Sequence, residues 1–336
     1  MPRTVLPDSR RSPRFAGVST FCRYPLLEQV LPENLPLDWA IYGVPYDGGV
    51  TYRPGARFGP RAVREESQYV KPYHVEFDVN VCEALSIADA GDAPVRPYSP
   101  RENADVVCAF AAGLCKPNAG AKKAAITRLL AIGGDHSIAY ANIRATWERL
   151  NKPKKGLPLI HFDSHLDTVD SVWGERWGHA SPFIRAIEDE IVDPRRMISI
   201  GVKGPLNSAT DLLFAKEHGV EIVTYERWRR EGVKPIAAFL KRLGRAGAYV
   251  TFDIDCVDPA FAPGTGTPSV GGFTSAEVLG LLRSLRGTSV LGADVVEVLP
   301  DRDPSGITAL LAAHVMFEIL ALDAVLASVS GSVPGG

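Results

Sequence analysis

Short apolar runs alternate with longer amphipathic segments along most of this chain, from Asp38 onward. The apolar runs predict strands at Trp39–Val44, Leu85–Ala88, Arg128–Ile132, Leu157–Phe162, Arg196–Ile200, Glu221–Thr224, Tyr249–Ile254 and Val290–Val298. The amphipathic segments predict helices at Ala62–Tyr69, Arg101–Leu114, Ser137–Leu150, Ser181–Glu190, Ala209–His218, Lys234–Leu243, Ser275–Ser284 and Thr308–Leu326. Strands that are apolar at nearly every position are typical of a sheet covered on both faces. The pattern therefore predicts an α/β protein in which two helical layers enclose a mostly parallel sheet of about eight strands.

The beginning of the chain lacks this alternation. Residues 1–35 are rich in proline and arginine and show no sustained hydrophobic period, so we expect an N-terminal arm that needs a partner surface to be ordered. The remainder contains no repeat, low-complexity block or linker. We therefore expect one domain spanning residues 36–330.

Composition excludes several classes of protein. The 336 residues are 46% hydrophobic and 23% charged, with a formal charge of −2, so neither a mainly disordered chain nor a binder of nucleic acid or anionic membrane surfaces is expected. No run of about 18 apolar residues predicts a membrane-spanning helix, and no apolar segment after the basic start predicts a secretory signal. The five cysteines form no CxxC pair, which favours a reducing, cytoplasmic location.

Ionisable residues follow three of the predicted strands directly. They occur in the segments Gly133–Ser137, His161–Asp167 and Phe252–Asp255. Binding sites of open α/β sheets form beyond the carboxyl ends of the strands. If these ends stay extended, alternation places Asp163, His165 and Asp167 on one face, and Asp253 and Asp255 likewise. We expect these side chains to share one small volume.

A single aspartate after a strand is more often a helix N-cap than a ligand. A cluster of this size is different, because buried like charges repel and lose hydration unless a cation compensates, and no lysine or arginine lies between residues 160 and 172. Carboxylate and imidazole ligands without thiolate favour Mn(II) and also accept Ni(II), Co(II) or Fe(II). Six ligands suit two divalent ions with bridging carboxylates, and the candidates are His136, Asp163, His165, Asp167, Asp253 and Asp255.

Longer motifs surround these residues. GGDHS stands at Gly133–Ser137, DxHxD at Asp163–Asp167, FDxDxxDPxxxPGTGTP at Phe252–Pro268 and DVVEVxP at Asp294–Pro300. In these motifs the chain resembles the ureohydrolase family, which includes arginase, agmatinase and guanidinobutyrase. The segments Gly43–Gly49 and Arg53–Arg61 resemble the agmatinase branch in particular, and the similarity runs from about Pro13 to Leu320.

The resemblance implies a fold like that of arginases and metal-dependent deacetylases, and a site with two metal ions. One ion would be held by His136, Asp163, Asp167 and Asp253, and the other by Asp163, His165, Asp253 and Asp255, with Asp163 and Asp253 bridging. It further implies that a water activated by the ions attacks the guanidinium carbon, releasing urea and an amine. Catalytic roles would fall to Asp167, to Glu297, which pairs with the substrate guanidinium, and to His179, which moves protons to the leaving amine.

Departures from the family concern the substrate tail. Val169 stands where arginases have an asparagine that reads the amino-acid head group, which disfavours arginine as substrate. Trp173 and Trp177 flank the same loop and are candidates to line the mouth of the site. Agmatine is favoured by the motifs, and 4-guanidinobutyrate, guanidine and substituted biguanides of the metformin type stay open.

Two other functional classes are less favoured. They are a metal-dependent deacetylase and a non-catalytic paralogous subunit, and both are disfavoured because the ligand set and Glu297 are intact. The resemblance also implies a homo-oligomer, a trimer or hexamer, which could include a paralogous subunit.

Overall fold

The structure is a computed structural model that describes residues 5–115 and 126–331, and side chains as far as residue 328. Its strands are Trp39–Gly43 (β1), Tyr73–His74 (β2), Val79–Asn80 (β3), Ile87–Asp92 (β4), Arg128–Ile132 (β5), Leu157–Phe162 (β6), Val192–Ile200 (β7), Glu221–Val223 (β8), Ala248–Asp253 (β9) and Val290–Val296 (β10). Its α-helices are Gly59–Glu66 (α1), Val81–Ala84 (α2), Pro100–Gly113 (α3), Ile138–Arg149 (α4), Pro182–Glu188 (α5), Leu213–Glu217 (α6), Tyr225–Glu231 (α7), Lys234–Leu243 (α8), Ser275–Arg283 (α9) and Ile307–Gly331 (α10).

Eight of these strands form one parallel sheet in the order β4-β1-β5-β10-β9-β6-β7-β8. Strand residues alternate between two buried layers, as the pleat requires: Ile160 and Phe162 of β6 contribute to one core and Leu159 to the other. The first core includes side chains of α1, α8, α9 and α10, and the second includes side chains of α3, α4, α5 and α6. The three-layer α/β fold with eight parallel strands is therefore confirmed.

The boundaries of several elements differ from those predicted. The strand predicted at Leu85–Ala88 begins at Ile87 and continues through polar residues to Asp92, because the Asp89 carboxylate there accepts hydrogen bonds from Arg64 and from the backbone N–H of Phe21. The helix predicted over residues 209–218 is a 3₁₀ turn followed by the short α6. Helix α7 was missed because its sequence, YERWRRE, is polar on nearly every side.

The last helix, α10, is long enough and apolar enough in composition to cross a membrane, although single polar residues interrupt its apolar sequence. Within the described part of the chain it is the one helix that passes this test. Its most apolar window is 83% buried, and the helix packs against α1, α9 and β10. It is a core helix of this fold, which explains its composition.

The N-terminal segment is partly built into the domain. Phe21 and Tyr24 are buried, and the backbone N–H of Phe21 donates to Asp89 Oδ2 at 2.8 Å on the edge strand β4. Phe15 and Val18 are exposed in the same segment. The division into an arm of residues 1–35 and a domain of residues 36–330 stays a prediction.

Candidate metal centre and substrate cavity

The sheet order brings four loop segments to one place. Strands β5, β10, β9 and β6 are neighbours in the middle of the sheet, and all run in the same direction. Their carboxyl ends therefore meet along one edge, as in other open α/β sheets. The candidate residues follow these ends: His136 after β5, Glu297 after β10, Asp253 and Asp255 at the end of β9, and Asp163 to Asp167 after β6.

The predicted side-chain alternation beyond the strand ends is wrong. Strand β6 ends at Phe162, and residues 163–167 form an irregular loop in which Asp167 has φ of 51°. Asp253 is the last residue of β9, and Asp255 lies in the 3₁₀ turn Ile254–Cys256. The carboxylates converge because these loops turn back over the sheet, rather than because extended residues share a face.

Four candidates meet around one nitrogen atom. His136 Nδ1 lies 3.0 Å from Asp163 Oδ2, 2.9 Å from Asp167 Oδ2 and 3.3 Å from Asp253 Oδ2. All four side chains are buried, and His136 is 1% exposed. His161 completes the group, since its Nε2 lies 2.9 Å from Asp163 Oδ2.

The other nitrogen of His136 determines which form of the ring is present. Its Nε2 lies 2.9 Å from Thr251 Oγ1, and the Thr251 hydroxyl donates to the buried Asp294 carboxylate at 2.5 Å. Thr251 Oγ1 therefore accepts the proton on Nε2, so a neutral ring would direct the lone pair of Nδ1 at three carboxylate oxygens. This arrangement is repulsive unless a cation lies between them. The donor set fits a divalent metal ion.

A second group lies next to the first. His165 Nδ1 is 3.1 Å from Asp255 Oδ2 and 3.3 Å from Asp163 Oδ1. Asp163 thus presents one oxygen to each group. The other predicted bridging residue, Asp253, directs Oδ2 at the first group, and its Oδ1 accepts the backbone N–H of Asp255 at 2.7 Å, as Asp163 Oδ1 accepts that of His165 at 2.6 Å. Among the described residues, Asp163 has the geometry of a bridging carboxylate.

The pKa values of these groups reflect the crowding. Burial would lower the pKa of His136, but hydrogen bonds with Asp163, Asp167 and Asp253 raise it well above its ordinary value. Burial together with the charges of Asp255 and Asp163 raises the pKa of Asp253 well above the usual range of a carboxyl group. Strong shifts of this kind in adjacent buried groups are typical of functional sites.

The glycine-rich segment after β5 places His136. Gly134 passes so close to Tyr46 that a Cβ atom would lie 1.7 Å from the Tyr46 carbonyl oxygen, so no other residue fits. The next side chain, Asp135, accepts hydrogen bonds from the backbone N–H groups of Gly49 and Ser137, and it thereby fixes the loop. Burial and the nearby Glu297 raise the pKa of Asp135 to about 6.

Glu297 and His179 form a pair beside the metal candidates. His179 Nδ1 lies 2.8 Å from Glu297 Oε1, which also accepts the backbone N–H of His136 at 2.9 Å. Glu297 Oε2 is buried and has no hydrogen-bond partner within the described residues. Burial opposes ionisation of His179, yet the charge and hydrogen bond of Glu297 raise its pKa to about 9. The backbone N–H of Thr51 works against this rise by donating to Nε2 at 3.0 Å, which favours the neutral ring.

A cavity of about 460 Å³ opens above these groups. His165, Asp167, Asp253 and His179 lie at its base. Its walls contain both predicted tail-binding residues, Val169 and Trp173, together with Thr51, Leu166, Val172, Ala180, Pro205, Leu206, Asn207, Asp211, Leu212 and Thr267. Trp177 is not part of this cavity, because its ring packs against Tyr140 and beneath the Arg101 guanidinium.

Some residues of the site were missed or left open by the sequence analysis. Thr251 contacts Nε2 of His136 and donates to Asp294, so these two residues orient the imidazole ring. The sequence could have indicated Thr251, because it shares a face of β9 with Asp253. No pattern in the sequence indicated a role for Lys203. Its ammonium donates to Ser164 Oγ and to the backbone oxygens of Asp255 and Ser269, tying together the loops that carry the second group.

Comparison with known proteins places these features in a family. A model of the arginase family matches residues 37–322. The chain is 39% identical to proclavaminate amidinohydrolase of Streptomyces clavuligerus, over 93% of this chain and 95% of that protein. It is 40% identical to guanidinopropionase of Pseudomonas aeruginosa, over 94% of each chain. The solved structure of the Streptomyces enzyme covers 94% of this chain and 99% of its own with a TM-score of 0.83.

Proposed function

We propose, from the premise that this chain belongs to the arginase family, that it hydrolyses a guanidino compound to urea and an amine in a site that holds two divalent metal ions. The observation that carries the metal centre is the buried Nδ1 of His136, which faces the carboxylates of Asp163, Asp167 and Asp253 at 2.9–3.3 Å. The six ligands are those that the motifs imply: His136, Asp163, His165, Asp167, Asp253 and Asp255. Their oxygen and imidazole donors suit Mn(II) best, with Ni(II) or Co(II) as alternatives.

Bound divalent ions supply a nucleophilic water at neutral pH and a template for the substrate. Glu297 then binds the guanidinium, because its buried Oε2 offers an acceptor with no other partner in the described structure. His179 carries a proton toward the leaving amine from a position 2.8 Å from Glu297. Asp167 holds the ring of His136 in place from the cavity side.

Agmatine-like compounds are the first substrates to test, because the segments Gly43–Gly49 and Arg53–Arg61 resemble the agmatinase branch. Guanidinobutyrate, guanidine and biguanides are the alternatives. A deacetylase or a non-catalytic paralogous subunit is less well supported, since all six ligands are present and Glu297 lies beside them in contact with His136 and His179. We further propose a cytoplasmic homo-oligomer, a trimer or hexamer, whose contacts include the exposed Phe15 of the N-terminal segment.

The test is metal reconstitution with a substrate panel. The metal-free protein is loaded separately with Mn(II), Ni(II) and Co(II), the metal content is measured, and urea release is followed with each guanidino compound. We expect two ions per chain and urea from at least one compound. A fully loaded protein that releases urea from none of them contradicts the proposal, and a single-chain mass in solution at micromolar concentration contradicts the oligomer.

A further inference from the structure

The walls of the cavity differ sharply from its base. The hairpin that carries Val172 and Trp173 forms one wall with Val169, and Pro205, Leu206 and Leu212 contribute apolar surface to the opposite wall. The polar wall residues are neutral except for Asp211, one of whose oxygens is used by the backbone N–H groups of Asn207 and Ser208. None of the described residues that line the cavity is a lysine or an arginine.

Three cations on chain segments next to the lining residues have other partners. Arg185 and Arg176 both pair with Asp170 and Glu188 on the outer side of the loop. Lys203 uses its ammonium on Ser164 and on two backbone oxygens, below the cavity wall. The lining therefore offers no lysine or arginine to a carboxylate at the end of a substrate, and its two histidines, His165 and His179, lie at the base, where the guanidinium would bind.

A carboxylate tail would be unfavourable here for two reasons. Its charge would lose hydration against Val169, Leu206 and Leu212 without gaining an ionic partner. It would also approach Asp211, which has the same sign. An apolar tail gains from the same surface, and an ammonium tail is compatible with Asp211 and with the face of an indole.

Trp173 is held in a conformation that its own residue type disfavours. Val172 and Glu175 exchange backbone hydrogen bonds of 3.0 and 2.9 Å, and the two residues between them, Trp173 and Gly174, have φ of 53° and 84°. Two positive values at the centre of a two-residue hairpin are typical of a type I′ turn, for which Asn-Gly is the preferred sequence. A tryptophan is therefore not required to form this turn, and its side chain is 84% exposed at the cavity mouth. Such strain at a site indicates a functional role.

We propose that, within the function proposed above, the site selects guanidino compounds whose tail carries no negative charge, and that Trp173 contacts this tail. The substrate class is then an N-alkylguanidine with an apolar or amine-terminated tail. This differs from what the name guanidinopropionase says of one similar protein, whose substrate ends in a carboxylate.

Three compounds with the same four-carbon chain test the charge of the tail: butylguanidine, agmatine and 4-guanidinobutyrate. Urea release by the metal-loaded protein gives kcat/KM for each. We expect 4-guanidinobutyrate to be at least ten-fold below both of the others. A smaller difference, or a preference for the carboxylate, overturns the proposal while leaving guanidino hydrolysis intact. Absence of urea from all three and from guanidine contradicts the proposed function itself.

Two substitutions test the walls. Trp173→Asn suits the turn, so we expect an unchanged or higher Tm together with a KM for butylguanidine raised at least five-fold. A lower Tm with unchanged KM would make Trp173 merely structural.

Leu206→Arg adds an arginine to the cavity wall. It should raise the ratio of kcat/KM for 4-guanidinobutyrate to kcat/KM for butylguanidine at least ten-fold. Its matched control is Leu213→Arg, an exposed residue of α6 outside the cavity, which should leave that ratio unchanged.

Discussion

The base and the mouth of the cavity are built on different principles. At the base, His136, Asp163 and Asp253 are almost completely buried, and each is held by hydrogen bonds or close polar contacts within the sheet-end loops. At the mouth, Trp173 stands 84% exposed on a two-residue turn, and the facing segment around Asn207 and Asp211 makes mainly local hydrogen bonds. The base is supported by the core of the protein and the mouth by its own loops.

Because of this difference, we expect the base to determine the reaction and the mouth to determine which substrates are preferred. Groups that must hold ions at fixed spacing require a rigid, buried support, because small displacements weaken coordination. Groups that contact the tail of a substrate tolerate replacement, since loops on a stable scaffold can change without disturbing its core. Substitutions at the base should therefore affect metal binding and all substrates alike, whereas those at the mouth should change the ranking of substrates.

The largest effect is expected from Asp163→Asn. This change removes the carboxylate that faces both His136 and His165, so we expect loss of bound metal and a fall in urea production to background with every guanidino compound. Metal analysis of the purified variant and an activity assay provide the measurement. Asp105→Asn, an exposed position on α3, is the control and should behave as the parent. Normal metal content in Asp163→Asn would show that the buried carboxylates at the base of the cavity are not required to hold metal ions.

Glu297→Gln should separate substrate binding from metal binding. The variant keeps the size of the side chain and the contact with the backbone N–H of His136, but it loses the charge that pairs with a guanidinium. A hydrogen bond to a charged group contributes about 1.5–3 kcal/mol, so kcat/KM should fall about ten- to one-hundred-fold. The metal content should stay at two ions per chain, and its loss would assign Glu297 to the metal site instead.

Thr251→Val tests the support behind His136. Valine has the shape of threonine without the hydroxyl that accepts from His136 and donates to Asp294. Loss of such a partner weakens metal affinity about ten- to one-hundred-fold. Metal titration of the metal-free protein measures it, and activity should return at saturating metal. An unchanged affinity would show that the tautomer of His136 is fixed in another way.

A pH profile tests His179. Its pKa is raised to about 9 beside Glu297, so a protonated donor is present at neutral pH and is lost as the pH rises through that value. At saturating metal and substrate the rate should therefore decline on the alkaline side of neutrality, at a pH below about 9, because bound divalent ions oppose the positive charge of His179. His179→Asn should lower kcat and abolish this decline. The charge of His179 also stabilises the folded protein. This stabilisation is fully present below the unfolded histidine pKa of about 6.5 and is lost as the pH rises through about 9.

The smallest effect is expected at the mouth, from Val169→Asn. The new amide could hydrogen-bond the amino-acid head group of arginine, and one neutral hydrogen bond contributes about 0.5–1.5 kcal/mol. We expect kcat/KM for arginine to rise about three- to ten-fold, from a starting value at least ten-fold below that of the best substrate. Metal content should not change. Arginine as the preferred substrate of the parent protein would show that Val169 does not exclude it.

The sequence by itself determined the fold class and the family. Apolar runs that alternate with amphipathic segments specify a buried parallel sheet between helices, because local periodicity reflects which faces are covered. The motifs at Gly133–Ser137 and Asp163–Asp167 mark the strand ends at which chemistry occurs. These features depend on neighbours in the chain or on a resemblance carried by short segments.

The tertiary structure alone decided which strand ends meet and how the side chains face one another. Strand β10 inserts between β5 and β9, which brings Glu297 next to His136 across 161 residues of chain. The loops after β6 and β9 turn rather than extend, so simple alternation predicted the correct residues for the wrong reason. The relay through Thr251 and Asp294, the exclusion of Trp177 from the cavity and the absence of a lining cation among the described residues all depend on contacts between distant segments. Sequence periodicity carries no information about such contacts, because they are set by how the sheet and its covering helices pack.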